Sequence, residues 1–538
     1  MKKKAKVDLK KKKREIIDDY AELANQLDRT VHMNDLADAG HTKDSITHHF
    51  RNLNRLDEAS RATHPNKFHD VSVNSLIGPK ALTRLQGAVA NHKKFIIVDA
   101  ITECKVHDGF YNSIKTFCSV ENAALLVLVQ SDPTNNHQSG RNLGFIDRKL
   151  QSEYIVVADT ALNNNLYVST IKLSAKQKDP VTGLGRIGQR NGSFIYASPK
   201  QRLKVTPVSN DKLPHLMMTT GAITVPSYGV FSYMAERSAY IAEHDHVMGA
   251  LVVEVLDDEH FQVRQVQADE RGHFIDIGKE YRPNCVMDVQ PAAFVLGDWH
   301  SGETDWTVAC AWFDLIKTLN PKRVVLHDVF NGMSINHHDE DKAILRAQRS
   351  AKNELNLDDE IVQVASDLTR FAKLVDEVVV VRSNHDEFLE RYLQFGKYVA
   401  DPLNHRLSLR LALAMLDGQD PLKFAVEEYL DPSYRSKINW LTRDQDYKIA
   451  RIQLGAHGDK GANGAKGSLP TMEAAYGNSI TGHSHSPEIL RGAWAVGTSS
   501  KLKLSYNVGP SSWMHSSILL YENGSRQMIH CIDGKWKA

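Results

Sequence analysis

Five apolar runs in the C-terminal half of this chain each stop at residues able to bind a metal ion. "AAFVLGDWHSG" ends in Asp298 and His300, "KRVVLHDVFNG" in Asp328 with Asn331 three residues on, and "VVVVRSNHDE" in Asn384, His385 and Asp386. "IARIQLGAHGD" ends in His457, and "NSITGHSHSPE" supplies His483 and His485. Carboxylate, imidazole and amide oxygen without thiolate suit Mn, Fe, Zn or Mg. Two ions about 3.5–4 Å apart need a bridging carboxylate, for which Asp328 is the natural candidate. Asp298 and His300 stand two residues apart at one strand end, so both can face one ion. His483 and His485 share that spacing and can serve two ions, and Asn384 can give a carbonyl oxygen without adding charge. Paired ions of this kind activate water and neutralise the oxygens of a phosphoester. A lone histidine is more often a satisfied core residue, and GHxH alone is a weak string. The five pieces together, each after an apolar run, are what point to a shared site.

Such ligands converge only if the strands before them end at one sheet edge, where loops on a rigid scaffold can build a common pocket. The runs have the length and aliphatic content of buried strands. Between the second and third of them, Gly332 to Arg382 is strongly helical, from "DEDKAILRAQRSAKNEL" to "TRFAKLVDE". His337 and His338 in "NHHDED" could touch substrate or simply open an acidic helix cap. The loop "HGDKGANGAKGS" sets Lys460 and Lys466 after His457, to contact phosphates or to lie exposed. It is no Walker A loop, which needs adjacent Gly-Lys-[Ser/Thr].

The pieces "DWH", "HDVFN", "SNHDE", "GAH" and "GHSH" resemble, in order, the D-x-H, GD-x-x-[DN], GNH-[DE], Gly-x-His and GH-x-H motifs of the calcineurin-like metallophosphoesterases. The resemblance spans about residues 290–520. It implies a two-layer β-sandwich flanked by helices. It also implies one ion held by Asp298, His300, Asp328 and His485, and a second held by Asp328, Asn384, His457 and His483. His385 would bind no metal but act near the scissile phosphate as general acid or transition-state stabiliser. "LSYNVGPSS" looks like the family's closing strand. Two glycines of the pattern are replaced, by His327 and by Ser383, and His327 could compete as a ligand.

Upstream the signals are different. Nine of the first fourteen residues are Lys or Arg, a run that is either a solvated, mobile tail or an arm that tracks phosphates. No apolar segment follows it as a secretory signal would require. Ile16 to Leu27 has helical spacing. In "MNDLADAGHTKDSITHHFRNLNRL", Asn34 can cap one short helix, Gly40 can make a left-handed turn and Thr42 can cap a second helix with Ile46, Phe50 and Leu53 inside. That is a helix-turn-helix-like pattern, which would put Lys43, His48 and Arg51 on the outer faces of its second helix. A small packing bundle is the bland alternative. Residues 66–290 read as mixed α/β, with strand-like runs "KKFIIVDA", "AALLVLVQ", "EYIVVAD", "LYVSTIKL", "SFIYA", "ALVVEVL" and "FQVRQVQ". Scaffold, oligomerisation surface and substrate cradle are all open roles for it. "GLGRIG" lacks the strand and helix that a dinucleotide fingerprint needs and reads as loop.

The expected architecture is therefore α/β in three parts: residues 1–65 a basic, helix-turn-helix-like module, 66–290 a mixed α/β domain, and 291–538 the metal-bearing sandwich. The chain is 42% hydrophobic and 24% charged, ordinary for a globular protein, with no apolar stretch of membrane-helix length. Five scattered cysteines suit reduced thiols in a cytosol. The basic N-terminus favours DNA over a small metabolite as substrate. The expected activity is DNA phosphodiester hydrolysis with two divalent ions per chain, manganese foremost. Within the family the chain is most similar to the DNase branch of SbcD-type repair exonucleases. Its layout also resembles the pre-early proteins with which large siphophages degrade host DNA, which would place it in a host cytoplasm. A homo-oligomer is expected. The alternatives are a small-molecule or cyclic-nucleotide phosphodiesterase, and a DNA-binding regulator with a structural metal centre. A spare acid such as His385 has no use in the last.

Overall fold

A computed structural model describes residues 2–27, 31–130, 144–209, 213–228, 233–504 and 506–537. The architecture is mixed α/β. Six strands form one sheet in the order 438–440, 377–380, 323–326, 293–295, 516–520, 526–530, the first four mutually parallel. Alternation along these strands sends side chains to two different cores. Phe294, Val324, Leu326, Val378 and Val380 pack under the helices Trp306–Leu319 and Leu357–Ala372. Val295, Val325 and Val379 face the opposite way, onto Ile480, Trp494 and Ile489 of a second sheet. Because both faces are covered, the buried positions 293–295, 324–326 and 378–380 are all apolar, not alternately so.

The second sheet has ten strands and joins distant parts of the chain. Strands 448–449, 452–453, 479–481, 493–495 and 488–490 are followed directly by 202–206, 215–219, 193–196, 166–168 and 160–163. The seam is the antiparallel pair Leu203↔Ile489 and Arg202↔Leu490. Arg202 fastens it, with its guanidinium 2.8 Å from Glu488 and 3.1 Å from Asp179. The segments before and after residue 290 thus share one sheet.

Strands Lys94–Ile101 and Ala123–Gln130 are parallel neighbours in a third, five-stranded sheet, connected by the helix Asp108–Glu121. "EYIVVAD" and "LYVSTIKL" are strand only over 154–155 and 166–168. "GLGRIG" is not all loop: a turn over 181–184 leads into the short helix Gly185–Asn191. No strand runs through the described residues of 504–512, where a closing strand was expected; Ser505 lies outside the described residues. Asn507 instead ties this segment into a loop, donating to the Leu502 carbonyl and to Ser511.

The N-terminal run forms the first half of the helix Lys2–Gln26. Lys, Arg and Glu are good helix formers, and Ile16, Ile17, Tyr20 and Ala21 anchor the second half in a core with Leu36, Ile46, Phe50 and Leu56. Gly40 has φ 89° and Thr42 caps the helix Lys43–Phe50 by accepting from the Ser45 amide, as the sequence suggests. Asn34 does not cap the preceding helix Met33–Asp38: it lies inside it, and Asp35 accepts from the His32 amide at the start.

Candidate metal centre

The strands before Asp298, Asp328 and Asn384 are parallel neighbours in the six-stranded sheet, and those before His457 and His483 are parallel neighbours in the ten-stranded one. Parallel strands end on the same edge, so all five loops meet where the two sheets face each other. The loops hydrogen-bond as they meet. His300 N donates to Asp328 O at 2.7 Å, and Gly482 N to His457 O at 2.8 Å. Asp298 Oδ2 accepts from the His483 amide at 2.7 Å.

Ligand atoms of Asp298, His300, Asp328 and His485 all lie within 4.8 Å of one another, and all four residues are buried. His485 Nε2 is 3.1 Å from both His300 Nε2 and Asp298 Oδ2. Two imidazole nitrogens aimed at one point beside two carboxylates form a concentration of lone pairs that a cation can satisfy. Next to this group, His457 Nε2 stands 3.2 Å from Asp328 Oδ2, and the His457 and His483 rings meet edge-on at 5.3 Å. Asp298 Oδ1, Asp328 Oδ1 and Asn384 Oδ1 are buried without a hydrogen-bond partner. Buried polar atoms normally find one, and these three belong to proposed ligands. The donor set fits divalent ions.

Backbone strain marks the same residues. His300, Asp328, His483 and His485 have φ of 48°, 46°, 74° and 55°, left-handed values that cost about 1–3 kcal/mol each and persist only where the surroundings enforce them. Gly482 must be glycine, since a Cβ there would collide with Asp298 Oδ1.

Electrostatics set the protonation states. Burial opposes ionisation of Asp298, but His485 outweighs it and holds the carboxyl below its ordinary range. Burial likewise opposes ionisation of Asp328, and His457, His385 and His300 hold it well below that range. Burial takes His300 down to about 3, so its ring is neutral. Burial also disfavours charge on His457, but Asp328 and Asp298 overcome this and lift it to about 9, so an ion held by this ring must displace its proton.

His385 lies to the side, its ring 4.7 Å from that of His300. Its Nδ1 is 2.7 Å from the Asn331 carbonyl oxygen. A carbonyl can only accept, so Nδ1 carries the proton. Asp386 does not orient this ring. Its carboxylate accepts from Ser383 N at 2.9 Å while Ser383 Oγ accepts from Asp386 N at 3.2 Å. The serine that replaces a motif glycine thus closes the turn holding Asn384 and His385. His327 stands behind His457, with Nδ1 atoms 3.4 Å apart, and burial takes it down to about 4. Asp367 was not legible from sequence. It accepts from Trp299 Nε1 and Ser301 Oγ, both at 2.9 Å, and so fixes the loop of Asp298 and His300 from 66–68 positions away.

Of the residues proposed for nucleic acid, Lys43, His48 and Arg51 are exposed on or just after the helix Lys43–Phe50. Lys12 and Lys13, also exposed, lie close enough to disfavour charge on His49, after burial and His48. The basic run therefore lies against the His49–Phe50 end of this helix. Lys460 and Lys466 are exposed and pair across the loop after His457, with Lys460 Nζ 3.9 Å from Glu387.

Fold and site together define an α/β protein with a buried carboxylate–imidazole cluster that could hold a metal ion. The chain is similar to Protein A1 of Escherichia phage T5, 28% identical over 477 residues that cover 84% of each chain. No family model and no solved structure matches it.

Proposed function

We propose that this protein is a two-metal phosphodiesterase of the calcineurin-like metallophosphoesterase class that hydrolyses DNA, acting in a host cytoplasm on behalf of a phage. The observation that carries the reading is the convergence of five strand-end loops on one buried, strained ligand cluster with His385 at its side. Asp298, His300, Asp328 and His485 would hold one divalent ion, and Asp328, Asn384, His457 and His483 a second. Bound there, the pair would supply Lewis acidity and a reactive hydroxide.

The chain's own residues do the rest. Asp328, ionised and between the two sets, fixes their spacing. Asn331 holds the His385 ring with Nε2 free to face a phosphate beside the ligands. From there His385, once it carries a second proton on Nε2, can give that proton to the departing oxygen or stabilise developing charge, typically worth about 10²–10⁴-fold. The exposed cations Lys12, Lys13, Lys43 and Arg51 of the N-terminal helices support a polyanionic substrate, and the phage relative supports the setting.

The test is incubation of the full chain with linear and circular duplex DNA, with Mn or Mg and with EDTA. Metal-dependent cleavage is expected. Full activity after exhaustive metal removal would overturn the proposal, and activity confined to cyclic nucleotides would replace DNA as substrate.

A further inference from the structure

A cavity of about 240 Å³ opens beside His385, lined by Phe388, His337, Arg391 and Phe395 among others. It is reached from the metal centre along a row of touching rings. His300 meets His385 at 4.7 Å, His385 meets Phe388 at 4.7 Å, and Phe388 meets His337 edge-on at 5.0 Å. The last two rings are cavity walls.

Three features of these walls leave binding capacity open to a ligand. Phe395 is 63% exposed, so its ring is accessible to a ligand. The Arg391 guanidinium lies 5.5 Å from that ring and, among the described residues, pairs with no carboxylate, whereas neighbouring Lys397 is satisfied by Glu340 at 2.7 Å. His337 Nδ1 is buried without a partner. Flat aromatic faces, a free guanidinium and an unused ring nitrogen together match a flat heteroaromatic ring with polar edges. Bases stack on aromatic side chains and on arginine in this way, at about 1–3 kcal/mol each.

We propose that this cavity is a nucleobase subsite, which holds the base next to the phosphate presented to His385. The proposal rests on the phosphodiesterase reading. The cavity stands one ring beyond His385, so the base it takes belongs to the nucleotide flanking the cleaved bond. Stacking there would draw that nucleotide out of its neighbours' stack and set the register of the phosphate at the metals.

The test uses the full chain with manganese and single-stranded oligonucleotides, either intact or carrying one abasic position at each site in turn. A second arm measures inhibition of nitrophenyl diester hydrolysis by free deoxynucleoside monophosphates against ribose-phosphate alone. Wild type should cleave the bond beside the intact base about tenfold faster than beside the abasic position, or be inhibited about tenfold better by the nucleotide. The first result assigns the pocket to a strand and the second to free nucleotides. In Phe395→Ala and Arg391→Ala, whose side chains lie at the surface and outside the core, the ratio should fall toward one. A wild-type ratio near one in both arms, or ratios undiminished in both variants, overturns the subsite. Failure of wild type to hydrolyse the nitrophenyl diester, which has no base, would mark failure of the underlying reading.

Discussion

His385 and Asn331 are joined by a hydrogen bond of 2.7 Å from ring Nδ1 to backbone carbonyl, between residues on the loops after two adjacent parallel strands. The bond places a proton on Nδ1 and leaves Nε2 as the nitrogen that can exchange a proton with a substrate. A histidine that ligated a metal through Nδ1 could not make it. Replacing His385 by Ala should therefore leave metal content and fold intact while DNA turnover falls by about 10²–10⁴-fold. The loss should shrink on a nitrophenyl diester, whose leaving group needs little protonation. Metal analysis showing a lost ion would make His385 a ligand, and undiminished DNA cleavage would remove it from the chemistry.

Asp328 touches both halves of the cluster, through His457 at 3.2 Å and His300 at 3.7 Å, whereas Asp298 contacts His485. Asp328→Ala should lose both ions and Asp298→Ala mainly one, as read by metal analysis of purified protein. Two ions still bound per chain in the Asp328 variant would contradict the bridging role.

The exposed N-terminal cations are remote in sequence from the metal ligands. Replacing Lys12, Lys13, Lys43 and Arg51 together by Ala should weaken DNA binding at moderate salt. It should also flatten the dependence of affinity on salt by about one unit of log–log slope for each phosphate contact removed. An unchanged slope would confine these residues to solubility or packing.

His246 provides a pH prediction remote from the metal ligands. Its Nε2 lies 2.9 Å from the Thr224 carbonyl, and its Nδ1 accepts from the Tyr228 hydroxyl at 2.8 Å. Burial holds it down to about 4 against the Thr224 bond, which favours charge. The folded form is thus neutral where the unfolded chain, with a pKa of about 6.5, already binds a proton. Stability should fall as pH drops from about 6.5 to about 4, by on the order of 2 kcal/mol from this residue. His246→Gln keeps a donor for Thr224 but cannot titrate. Denaturant midpoints measured across that window should decline less steeply in the variant, and parallel curves would refute the assignment.

Sequence alone was enough for the strand ends and the residues placed on them. A run such as Val378–Val381 can be satisfied only by burial on both faces, and a ligand directly after it must lie at a sheet edge. The mixed α/β character and the Gly40 turn follow from equally local rules of periodicity and backbone freedom. Tertiary structure decided what depends on distant partners. The pairing of 202–206 with 488–490 spans nearly three hundred positions and leaves no trace in the local pattern of either strand. The fixing of Trp299 and Ser301 by Asp367, the tautomer of His385 and the left-handed backbone at His300, Asp328, His483 and His485 exist only once the loops are packed together. Even the basic N-terminus became a helix because its far half is anchored by Ile16, Tyr20 and Leu36, contacts that charge composition cannot show. Local sequence selects which side chains can stand at a strand end, and only the packing of the two sheets decides which atoms they meet.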